Sequence, residues 1–140
     1  MALADVRPLQ EGLPFGVRSG GLTREVVADP AIKQEIADLF IQHGMIVFEN
    51  VENSDAMQLA LSDCFGPLKE HPVKGITRVD ANRMPGVVEI ASRPDNGGIV
   101  EIGGKQLSHW LPWHFDHCYN DELNPAGVLR ALEIVEEGGI

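Results

Sequence analysis

The chain is poor in cysteine, in positive charge and in long apolar runs. Its two cysteines, Cys64 and Cys118, are too few for a disulfide framework. No apolar run reaches the length that crosses a bilayer, and no basic-then-apolar signal pattern stands near Met1. A reducing cytoplasm is therefore the expected compartment. Only 11 basic residues stand against 21 acidic ones, a formal charge of -10. That balance argues against nucleic acid and against anionic membrane surfaces as partners. There is no internal repeat and no low-complexity segment.

What is present fits one ordinary soluble domain. The 140 residues are 44% hydrophobic and 23% charged. Leu, Ile, Val and Phe suffice for a core, so disorder does not describe the chain as a whole. The acidic excess names no substrate, because such charges mostly sit on solvated faces.

Local signals outline the elements. Asp29-Pro30 opens a helix, since Asp caps well and Pro is tolerated at the first helical position. Ile32, Ile36, Leu39 and Phe40 share a helical face, and Gly44 ends it. Met45 to Phe48 reads as a buried strand. Asn53 or Ser54 caps a second helix with Met57, Leu61, Cys64 and Phe65 as its stripe, closed by Gly66-Pro67. Pro14 to Val17 and Val26-Val27 give weak strand signals. Lys69 to Pro85 reads as loop, Val87 to Ala91 as strand, and Pro94 to Lys105 as a Gly-rich hairpin or loop around Ile99 to Ile102. Trp113 to Tyr119 and Val128 to Val135 are further strands, and Gly138-Gly139 a turn. The pattern predicts an α+β arrangement, or a β-sandwich with helices packed outside.

Four or five strands are few for two full sheets, and an incomplete sandwich exposes its inner face. The expectation is an N-terminal part of a larger protein. A small domain, or an oligomer that completes its own sheet, stays open as an alternative.

The chemistry concentrates in Trp113-His114-Phe115-Asp116. On a strand, His114 and Asp116 point to one face and can converge on an ion. They make two thirds of a 2-His-1-carboxylate triad of the kind that holds non-haem Fe(II). The plain alternative is a His bonded to a neighbouring Asp with no metal. His117 alternates to the other face, and His109 reads as structural. Arg130 sits in an apolar run, where burial calls for a partner carboxylate. Glu136-Glu137 reads as a solvated turn.

Taken together the motifs resemble the taurine dioxygenase and 2,4-dichlorophenoxyacetate dioxygenase family, of the TauD/TfdA type. The residues that carry the likeness are His43-Gly44-Met45-Ile46-Val47-Phe48, then Phe65-Gly66-Pro67-Leu68 with His71-Pro72, then Trp113 to Tyr119. Pro125, Gly127 and Gly138-Gly139 follow in order. Cys118 stands in place of the usual Thr or Ser, no proline precedes Gly138, and Ile140 replaces the usual acid.

The resemblance implies a partial double-stranded β-helix, or jelly roll, with two N-terminal flanking helices, all of residues 1–140 belonging to one domain. It implies Fe(II) held by His114 and Asp116, with 2-oxoglutarate and O2 as cosubstrates. Hydroxylation of a small anionic substrate would release succinate and CO2. His71 would contact that substrate's anionic group, though a loop His that packs locally is the alternative. Trp110 and Trp113 would pack at the mouth of the barrel, and Cys118 would be a small buried residue. The Thr and Arg that bind 2-oxoglutarate, and the distal metal His, would lie beyond Ile140. A homo-oligomer is compatible with this reading. Two rival readings remain: a non-catalytic binding or assembly module, and a metal-dependent hydrolase using His117 or His109.

Overall fold

The computed structural model describes residues 3, 5–71, 78–80, 83–91, 99–108, 113–116, 119, 121–134 and 136. The chain forms two compact units, Met1–Leu68 with Pro125–Ile140, and Lys69–Asn124.

The first unit is built around a helical crossover between two parallel strands. Strand β1 (Arg7–Pro8) pairs antiparallel with β2 (Val17–Gly20), which pairs in parallel with β3 (Ile46–Glu49). Parallel neighbours need a long return path. Helices α1 (Arg24–Val27) and α2 (Pro30–His43) provide it. Asp29 caps α2 by accepting from the Ala31 N–H at 2.8 Å, with Pro30 just inside. Gly44 ends it in the left-handed region at φ 73°, where a side chain would be strained. Its N–H donates to the Phe40 carbonyl at 2.7 Å. Helix α3 (Asp55–Ser62) is capped by Ser54, which accepts from the Met57 N–H at 3.1 Å. A 3-10 turn at Asp63–Phe65 follows.

These caps place the apolar stripes of α2 and α3 in one cluster. Leu22, Val27, Ile32, Ile36, Met57, Leu61 and Cys64 are buried together. Leu39 and Phe40 are half-buried, and the Phe40 and Phe65 rings meet edge to face at 5.2 Å. Lys33 pairs with Asp63 and so joins α2 to the 3-10 turn.

On the sheet, Arg7 and Arg18 stand directly opposite each other, a repulsive arrangement. The Glu49 carboxylate accepts from both guanidinium groups and neutralises it. The hydrogen bond from Arg18, ahead of the charge of Arg7, holds Glu49 below the usual carboxylate range.

Two expected strands take other forms here. Val26-Val27 lies in α1, because Thr23 caps a helical turn by accepting from the Val26 N–H. The apolar run from Val128 forms no strand over 128–134; Val135 lies outside the described residues. Two of its carbonyls are taken by side chains in and just before α3 instead of a ladder. Gln58 Nε2 donates to the Val128 carbonyl at 3.3 Å, and Asn53 Nδ2 to that of Ala131 at 3.5 Å. Arg130 finds the carboxylate its position called for in Asp55. Leu129, Leu132 and Ile134 are exposed.

The second unit holds two small antiparallel pairs. β4 (Arg78–Asp80) pairs with β5 (Met84–Val88) through a register shift, so part of the expected 69–85 loop is strand. The strand expected over Val87 to Ala91 runs instead over Met84–Val88, and Glu89 to Ala91 lie outside it. β6 (Ile99–Ile102) and β7 (Lys105–Ser108) form a hairpin, the first of the two forms expected around Ile99 to Ile102, and its second strand runs past Lys105 to Ser108. Its turn residues, Gly103 and Gly104, both have positive φ, which suits a two-residue hairpin loop. No strand forms over Trp113 to Asp116, where a bend and a turn replace it. Trp113 is fully exposed, contrary to its expected packing role. Among the described residues the sheets are small and no closed barrel forms, so the fold stands as mixed α+β. No helix of the described residues is long and apolar enough to cross a membrane.

Ile36 is wholly buried in the cluster. Ile36→Ala is expected to cost about 2–5 kcal/mol, measured by urea unfolding. Glu49 yields a pH prediction. Its lowered folded pKa means its contribution is present above the ordinary glutamate range and lost as pH falls through the lowered value. Glu49→Gln should therefore melt lower than wild type at neutral pH. The gap should close in acid, as read by thermal melts across pH.

Candidate functional site

His114 and Asp116 meet. His114 Nε2 lies 3.0 Å from Asp116 Oδ1, within hydrogen-bonding distance. Strand alternation does not bring them together: the backbone bends at Trp113 and turns at Asp116. The pair is open to solvent, with side chains 52% and 76% exposed, and Phe115 between them is exposed as well. One His and one carboxylate are donors that suit a divalent transition metal. Two such ligands, each about 2.0–2.2 Å from a metal and at a right angle, sit about 3 Å apart. The observed spacing meets that requirement. It equally satisfies a simple His–Asp hydrogen bond.

The remaining site residues divide between described and undescribed positions. His71 is half-buried in the same unit and takes part in interactions of its own. Pro72, His109, Trp110, His117, Cys118 and Gly138-Gly139 lie outside the described residues. Among the described residues no group of three or more His, Cys, Asp or Glu is placed to hold a metal.

Lys69 has a place that motif reading did not anticipate. Its Nζ donates to the Glu122 backbone carbonyl at 3.1 Å and lies 3.2 Å from the Glu122 carboxylate. Lys69 stands two residues before His71, and Glu122 six residues after Asp116. A lysine in a polar loop carries no sequence signal for a backbone acceptor so far along the chain.

Other features lie elsewhere. A cleft of about 280 Å3 in the first unit is lined by Val6, Leu13, Pro14, Gly16 and His43. Arg7 at its rim is already engaged by Asp5 and Glu49. Cys64 is buried, and that burial pushes its thiol upward, away from the reactive thiolate.

No match to the chain was found among curated proteins or among solved structures. The family described as "Taurine catabolism dioxygenase TauD, TfdA family" matches residues 5–140. The match takes in the helix-to-strand junction at His43-Gly44, the Phe65-Gly66-Pro67-Leu68 turn and the His114/Asp116 pair together. This chain belongs to the TauD/TfdA dioxygenase family.

Proposed function

We propose that the chain carries the iron-binding pair of an Fe(II)- and 2-oxoglutarate-dependent dioxygenase that hydroxylates a small anionic organic substrate, with release of succinate and CO2. The observation that carries this reading is the 3.0 Å approach of His114 Nε2 to Asp116 Oδ1 in a chain matched along 5–140. When bound, Fe(II) with 2-oxoglutarate and O2 supplies the oxidising power. The protein's share is to place the donors and the substrate.

The pair's own chemistry sets the terms of binding. Without metal, the Asp116 carboxylate can accept a hydrogen bond from His114 Nε2 when that nitrogen carries the imidazole proton. Metal ligation needs a bare imidazole nitrogen and an ionised carboxylate, so binding competes with protons and weakens in acid. His71, half-buried in the same unit, is the group proposed to meet the substrate's negative charge. An imidazole can offer an N–H to a sulfonate or carboxylate oxygen.

Titration with Co(II), a spectroscopically visible stand-in for Fe(II), tests the pair. The 140-residue chain should bind Co(II) through this pair, and more weakly as pH is lowered. His114→Ala and Asp116→Ala should each reduce affinity by at least about 10–100-fold, the loss that even outer-shell changes produce. Equal binding by wild type and both variants would sink the metal assignment and favour a non-catalytic module. His71→Ala should leave Co(II) affinity unchanged while weakening the binding of a small sulfonate or carboxylate. An unaltered anion titration would remove His71 from the site.

A further inference from the structure

We propose that Lys69 is a positioning residue: through the Glu122 backbone carbonyl it ties the loop carrying His71 to the stretch that follows His114 and Asp116. This rests on the reading of those residues as an anion-binding imidazole and a metal pair.

The two segments are otherwise irregular. Residues 68–71 form neither helix nor strand, and neither do residues 121–124. Backbone groups in such segments need partners outside any ladder. The Glu122 carbonyl receives a charged donor at 3.1 Å, and charge-assisted bonds are the stronger kind. The accompanying ion pair is the lesser part of the tie. The Glu122 side chain is 83% exposed, and exposed pairs contribute little. The lysine's reach to the main chain is therefore the feature that matters, and the acid beside it is dispensable. A site whose groups come from two irregular segments works only if something fixes their spacing. Lys69 is two residues from His71 and bonds across to the other segment.

The test uses the whole chain, labelled for NMR, with Co(II) added. A paramagnetic ion held by His114 and Asp116 shifts the His71 ring signals according to their distance from it. Lys69→Met should lose most of that shift while keeping the wild-type Co(II) affinity and circular dichroism. Lys69→Arg, which retains a charged donor, should keep the shift. Glu122→Gln, which retains the carbonyl, should keep it too. Lys69→Leu, which also lacks a donor, repeats the test should methionine disturb the fold. A full wild-type shift in the Met and Leu variants overturns the proposal and leaves the metal pair intact. Loss of the shift in Glu122→Gln overturns the carbonyl tie in favour of the charge pair. Failure of wild type to bind Co(II) at His114 and Asp116 removes the metal reading, and this inference with it.

Discussion

Ile32 and Ile36 lie one helical turn apart on α2 and are buried in one cluster with Met57 and Leu61 of α3. Burying side chains of this size contributes about 1.5–3 kcal/mol each, enough to decide whether a small unit folds. The rest of the first unit follows from that contact. With α2 fixed over the sheet, β2 and β3 can lie parallel, Ile46 and Phe48 pack beneath the helices, and Val17 and Ser19 turn inward. The Ser19 hydroxyl shows the cost of such burial, being wholly enclosed without a hydrogen-bond partner among the described residues.

Polar groups then join segments that the core does not reach. Glu49 reconciles Arg7 with Arg18 across β1 and β2. Asp55, Gln58 and Asn53 hold the 128–131 stretch along α3. In both places side chains supply what a continuous sheet would otherwise provide. They satisfy backbone carbonyls or opposed charges without adding a strand.

Local signals were legible in the residues, and long-range ones were not. Asp29-Pro30, Gly44 and Ser54 act within a few residues of themselves, so both main helices could be read directly. The hairpin over Ile99–Ser108 was legible only in part: Gly103-Gly104 signals a turn, but hairpin and loop both stayed open and the second strand runs past Lys105. The run from Val128 misled because apolar residues do not name their partner. Its carbonyls meet Gln58 and Asn53, some 70 residues earlier. The convergence of His114 with Asp116 was legible for a different reason than supposed. Two residues apart, they can meet on a strand face or across a turn, and the turn is what forms.

The exposure of that pair bears on what it is for. An exposed ion pair or hydrogen bond contributes about 0–1 kcal/mol, so the pair adds little to the stability of the fold. Both side chains are more than half open to water, and Trp113 and Phe115 beside them are exposed too. The segment therefore does not owe its position to burial. Replacing either residue should leave the core cluster of α2 and α3 untouched, since none of its members lies in the 113–116 segment. A change in metal binding on substitution can then be read as a change at the site itself. That separation between what folds the chain and what would do its chemistry makes the His114/Asp116 pair a clean place to test function.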